Sequence, residues 1–311
     1  LRRQRQMCIR DRVYIINTVF ALVLILAVLQ KLQDLLQKRR KDSLSGLYGV
    51  IKMNDMPIGF LDSGIGGSTV LSRALRLMKN EDYFFFSDSK NCPYGDKSDE
   101  EIIKRCDEIV AYMTEKKHCK AVVLACNTAS AKAVDFLRNK YSTLPIIAIE
   151  PAYKMVHDNS PEGFTLVMAT RGTIESEKFH RLYSKYDNGN TELLSCVGMA
   201  DLIEQSRFDE LDNYLQNLLG KYRGTAENVV LGCTHYPLAK DNIRKVLGNV
   251  KFFDGAPGVA RQLYRVLKKN DLLSSKKSEG KICFFDSSDT QDEREKKEKR
   301  FFEILSSYNC E

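Results

Sequence analysis

The chain contains no tryptophan, only four histidines, and no C-x-x-C pair. Without tryptophan, stacking on a large aromatic cofactor has little support. Nine cysteines at irregular spacing (Cys8, Cys92, Cys106, Cys119, Cys126, Cys196, Cys233, Cys283 and Cys310) match neither a zinc ribbon nor a disulfide framework. They point to free thiols in a reducing compartment. No lysine stands in a recognisable pyridoxal context. A basic excess is also missing from most of the chain. Of a net charge of +7, residues 1–52 carry 11 Lys and Arg against 3 Asp, leaving 37 basic and 38 acidic residues in 53–311. Nucleic-acid binding therefore has no compositional support.

What is there begins with a problem. Residues 13–29, VYIINTVFALVLILAVL, are 17 residues without a charge, the lower limit for spanning a bilayer. Basic clusters on both sides leave its orientation open. Residues 1–52 read either as a membrane anchor or as extraneous sequence ahead of a start at Met53, since MCIRDR is similar to translated sequencing-adapter sequence. The remainder is expected in the cytoplasm, with membrane contact only if 13–29 is native.

From Met56 onward, apolar β-branched runs alternate with helical ones. PIGFLDSGIGGSTVLSRALRLM, AVVLACNTASAKAVDFLRNKY, GFTLVMATRGTIESEKFHRLY and ENVVLGCTHYPLAKDNIRKVL each read as strand, turn, helix. This predicts an α/β fold of parallel sheets covered on both faces, with ligands beyond the carboxyl ends of the strands.

The pattern repeats. VVLACNTASA (122–131) and VVLGCTHYPL (229–238) place Cys126 and Cys233 at strand ends 107 residues apart. The same offset carries Ser63 to Thr170 and Thr128 to His235. Two similar doubly wound domains related by a pseudo-twofold are expected, with the active site in the cleft between them. The first spans 57–150 completed by 262–311, and the second spans 151–261.

Each cysteine thus sits at a strand-to-helix turn, where a helix N-terminus lowers the pKa of a thiol. One base alone gives exchange or elimination, whereas two opposed thiols can remove a proton from one face of a substrate and return one to the other. That is a racemase. The plainer reading of either cysteine alone is a small buried apolar residue. For DSGIGG, the turn that can receive a carboxylate through its N–H groups, a phosphate cradle is the alternative, but the Lys-Ser/Thr of a P-loop is missing. For His235 the alternative is a metal ligand with Cys233, but no further ligands cluster with it, and no metal is expected. Asp62 and Tyr94 could be turn residues.

GFLDSGIGGSTVL, CPYGDKS, ACNTASA, IEPA and GCTHYPL, in this order, resemble the signature segments of the bacterial glutamate racemase family over about residues 57–270. The resemblance implies cofactor-independent interconversion of L- and D-glutamate for peptidoglycan synthesis, by a protein that is commonly a homodimer. It implies that Cys126 is the base toward D-glutamate and Cys233 toward L-glutamate. Within a substrate-binding set of Asp62, Ser63, Tyr94, Gly95, Asn127, Thr128, Thr234 and His235, Asp62 would assist Cys126 and His235 would assist Cys233. Glu150 would add charge nearby. Two features depart from the family pattern: Val197 where Pro usually follows the cysteine matching Cys196, and the highly charged tail DSSDTQDEREKKEKRFFEIL. The alternatives are an aspartate racemase and a non-catalytic protein binding an acidic amino acid. Neither reactive thiols nor His235 are needed for binding alone.

Overall fold

The computed structural model describes Lys31 and residues 53–309, so the charge-free run at 13–29 lies outside the described residues. Among the described residues no helix is long and apolar enough to cross a membrane. Asn54–Glu311 clusters as one compact unit.

Among the described residues nine strands form two sheets, and every pairing is parallel. In chain order the first sheet opens with β1 (Ile58–Asp62), α1 (Ser68–Leu77), β2 (Tyr83–Ser87), α2 (Asp99–Glu115), β3 (Ala121–Leu124), α3 (Asn127–Lys140) and β4 (Ile146–Ala148). After α4 (Tyr153–Asn159) the chain enters the second sheet with β5 (Thr165–Ala169), α5 (Arg171–Ile174), α6 (Glu177–Tyr186) and β6 (Thr191–Ser195). It continues through α7 (Met199–Glu204), α8 (Phe208–Leu219), β7 (Asn228–Gly232), α9 (Lys240–Leu247) and β8 (Lys251–Asp254). Finally α10 (Ala256–Lys269), β9 (Ile282–Asp286) and α11 (Gln291–Asn309) return to the first sheet.

The strand orders β4-β3-β1-β2-β9 and β8-β7-β5-β6 are the same apart from the added β9. The repeat also holds in register. Ile58 pairs with Ala121, and the residues 107 positions on, Thr165 and Asn228, pair with each other. β1, β2, β3, β5 and β7 are buried at every position, which is why they read as continuous apolar runs rather than alternating ones. Side chains cap the starts of some of the helices. Ser98 and Glu101 form a reciprocal capping box at α2, and the Cys126 sulfur itself accepts from the Ala129 N–H at α3.

The return opens with α10, which packs along α1, and adds a strand, β9, beside β2. Phe284 of β9 stacks on Phe85 with centroids 5.9 Å apart, and Phe301 of α11 lies 4.7 Å from the same ring. The charged tail therefore hides an apolar stripe that closes the first sheet.

Candidate active site

Both cysteines are buried at the carboxyl ends of matching central strands, Cys126 just after β3 and Cys233 just after β7. Their surroundings differ. The Cys126 sulfur lies 3.5 Å from the Ser63 hydroxyl and 3.5 Å from the Ala129 backbone nitrogen. Burial, followed by the charge of Asp62, pushes its pKa up to about 12, with the Cys233 sulfur adding to the rise. The expectation of a lowered value is thus wrong for Cys126. The helix N-terminus does act on the sulfur, but losing water costs the thiolate more than one long hydrogen bond returns.

Cys233 has a different neighbour. Its sulfur is 3.8 Å from His235 Nδ1, while His235 Nε2 is 2.6 Å from Glu204 Oε2. Burial works against a charged imidazole, yet the hydrogen bonds to Cys233 and Glu204 outweigh it and hold His235 well above its ordinary pKa. Burial alone would likewise raise Glu204. The hydrogen bond and charge of His235, then Lys297, hold it down at about 2. The turn after Cys233 continues as a 3-10 segment, Tyr236–Ala239, before α9 begins, so Cys233 does not cap an α-helix as Cys126 does.

Asp62 ends β1 wholly buried. Its two oxygens accept from the Gly64 N–H at 2.9 Å and the Thr234 hydroxyl at 3.0 Å. Burial raises its carboxyl to about 6 against the pull of His235. The Thr234 bond joins the two sheets' strand ends, as does Thr128 Oγ1 to Thr170 Oγ1 at 2.9 Å. Gly66 lies so close to the second sheet that a Cβ there would fall 2.6 Å from His235 Nδ1 and 2.7 Å from Thr234 Oγ1. That spacing requires glycine in the DSGIGG turn.

Asn127 is buried, and both polar atoms of its side chain lack a hydrogen-bond partner. Such atoms are rare in a folded protein and call for a partner such as water, an ion or a ligand. Tyr94, buried, donates to Asp88 Oδ2 at 2.6 Å, and Arg105 grips both oxygens of Asp88 at 2.7 and 2.9 Å. Gly95 approaches Thr170 across the cleft, where a Cβ would sit 3.2 Å from the Thr170 Cβ. Pro93, Gly95, Thr170, Cys196, Val197 and Asp201 line a small cavity between the two strand-end surfaces. Glu150 is exposed and paired with Lys178 at 2.9 Å, and it lines a small cavity together with Asn127 and Thr173.

The structure thus brings Asp62, Ser63, Cys126, Thr128, Cys233, Thr234 and His235 to one place. Sequence reasoning missed Glu204, Asp88 and Lys297, which carry no local motif. Thr170 was reachable as the repeat mate of Ser63.

The Asp/Glu/Hydantoin racemase family model matches residues 68–263. The glutamate racemase of Clostridium novyi is 41% identical over 256 residues, spanning 80% of this chain and 98% of the relative. A glutamate racemase isoform of Bacillus anthracis matches in structure with a TM-score of 0.70 at 28% identity, covering 80% of this chain and 94% of that one. The glutamate racemase of Francisella tularensis, solved in complex with D-glutamate, matches with a TM-score of 0.66 at 28% identity, covering 83% and 95%.

Proposed function

The chain belongs to the Asp/Glu/Hydantoin racemase family, and from that premise we propose that it is a glutamate racemase, an isomerase that inverts glutamate between two thiols without a cofactor. One observation carries the reading: two buried cysteines end equivalent strands of sheets with the same strand order, each beside its own proton-handling groups.

The substrate α-carbon would lie between the sulfurs. With D-glutamate, Cys126 as thiolate takes the α-proton, and Cys233 as thiol gives one to the opposite face. L-Glutamate reverses the roles. Each turnover puts one proton on one sulfur and removes one from the other, so the enzyme ends ready for the opposite enantiomer. Asp62 and His235 move the thiol protons on their own sides. Ser63, Asn127, Thr128 and Thr234, with Tyr94 and Gly95, hold the ammonium and the carboxylates, and the unpartnered Asn127 amide supports this placement. The supply of D-glutamate for peptidoglycan, a cytoplasmic location and a homodimer belong to the same proposal.

Purified protein given L-glutamate should drive its circular dichroism signal to zero, and L-aspartate in parallel should stay unchanged. Loss of signal with aspartate alone would make the chain an aspartate racemase. No change with either would leave a binding protein.

A further inference from the structure

The groups that serve Cys233 do not end at His235. Glu204 uses Oε2 for His235 Nε2 and for the Ile65 N–H at 3.2 Å, while its Oε1 accepts from the Lys297 ammonium. Lys297 lies on α11, a helix that packs on α1 of the first sheet. Glu204 ends α7, between strands of the second sheet. One helical turn beyond Lys297, Arg300 donates to the backbone carbonyls of Ile203 and Glu204 at the C-terminal end of α7, where cations are favoured. Other lysines of the same charge run pair within the helix instead, Lys296 with Asp292 at 2.6 Å and Lys299 with Glu303 at 4.0 Å.

We propose that Lys297 is a positioning residue for the Cys233 side of the reaction: its ammonium completes a Lys297–Glu204–His235–Cys233 chain that keeps the imidazole aimed at the Cys233 sulfur. The inference rests on the reading of Cys233 and His235 as a reacting pair. Glu204 is almost wholly buried, so without the ammonium its Oε1 would be a carboxylate oxygen shut away from water with no partner. The side chain would then turn or take up a proton, and either change releases His235 Nε2. A small misalignment of a proton-transfer group costs up to about a hundredfold in rate. Cys126 shares none of these contacts, so it is an internal reference.

The test compares the full chain with Lys297→Met, Lys297→Arg and Lys296→Met. Turnover of glutamate is measured along with the rates at which iodoacetamide labels Cys233 and Cys126, followed by peptide mass. Lys297→Met should lower kcat by about tenfold to a hundredfold with KM little changed. It should also slow labelling of Cys233 several-fold relative to Cys126, because the thiolate is the form that reacts. Lys297→Arg should restore most of both, and Lys296→Met should match the wild type. Should Lys297→Met fail to fold, the milder Lys297→Gln carries the same two readouts. An unchanged or raised Cys233-to-Cys126 ratio would overturn the proposal, as would faster labelling of both thiols together, the mark of a mere strap. A wild-type chain that racemises no glutamate sinks the functional reading instead, and the labelling ratio then judges the chain of contacts alone.

Discussion

The two thiols stand on matching strands and yet are served by unlike chemistry. Cys126 has a hydroxyl, a helix N–H and a buried carboxylate near it, and burial pushes it up to about 12. Cys233 has an imidazole backed by a carboxylate that is itself backed by an ammonium. The repeat preserves where the sulfurs stand, and the residue that follows each by two positions, Thr128 or His235, has diverged. A symmetric scaffold therefore need not make symmetric acids and bases. Strand register places the groups, and side-chain neighbours decide how they handle protons.

Removing one sulfur breaks the comparison most severely. Cys126→Ser and Cys233→Ser should each cost at least about a thousandfold in racemisation in both directions, since a hydroxyl is a far weaker base and inversion needs both groups. What survives should differ by face. In deuterated water Cys126→Ser should still exchange the α-hydrogen of L-glutamate through Cys233, and Cys233→Ser that of D-glutamate through Cys126. Mass spectrometry of recovered substrate reads this directly. Equal exchange of both enantiomers by both variants would show that the faces are wrongly assigned.

Next come the partners. His235→Asn and Asp62→Asn should each lower kcat by about a hundredfold. In deuterated water His235→Asn should lose exchange of L-glutamate more than of D-glutamate, and Asp62→Asn the reverse. Identical losses in both variants would mean that the two side chains act on the site as a whole.

The two buried carboxylates offer a sharper contrast, in stability rather than rate. Asp62 is raised from 3.8 to about 6, whereas Glu204 is lowered from 4.5 to about 2. A raised value means that folding favours the protonated acid. The Asp62 contribution is complete below its unfolded value near 3.8 and is lost as pH rises through about 6. The Glu204 contribution runs the other way, complete above 4.5 and lost as pH falls through about 2. At about 1.4 kcal/mol per pH unit, the Asp62 difference is worth at most about 3 kcal/mol. Asp62→Asn should thus gain in Tm over the wild type as pH rises from about 4 to about 7, and Glu204→Gln should lose as pH rises from about 2 to 4.5, below the range in which His235 titrates. Calorimetry across both ranges checks this, and parallel trends in the two variants would erase the distinction.

How much of this could be read from the chain alone follows from where each signal lies. The β1–β5 and β3–β7 correspondences keep one offset, so simple addition finds the halves and both sulfurs. β9 is harder to see. ICFFD lies at a sheet edge with alternating burial, about 200 residues beyond its partner β2 in sequence. Glu204 is assembled from Ile65, His235 and Lys297, three distant segments, and no spacing within MADLIE hints at that. Lys297 hides in a run of charges whose neighbours pair along the helix surface. The Cys126 error has a similar root. A helix start is visible in sequence, whereas the depth of burial that outweighs it is a property of the folded whole.

The smallest expected effect concerns Glu150, placed by resemblance as added charge near the site. Its side chain is 51% exposed and paired with Lys178, which is 23% exposed. Exposed pairs contribute about 0–1 kcal/mol, because water screens the attraction and two side chains lose freedom to make it. The repeat adds a second argument. Val122 pairs with Ile146 and Val229 with Phe252, so the counterpart of Glu150 in the other half is Ala256, which bears no charge. The carboxylate at that strand end of the second half is instead Asp254, two residues earlier and paired with Lys240 at 3.4 Å. Glu150→Gln should change kcat by less than about twofold and stability by less than about 0.5 kcal/mol, with any rate effect fading as salt rises. Steady-state kinetics at low and high ionic strength measures this. A loss above tenfold that persists in high salt would place Glu150 within reach of the substrate, against its exposed position beside Lys178.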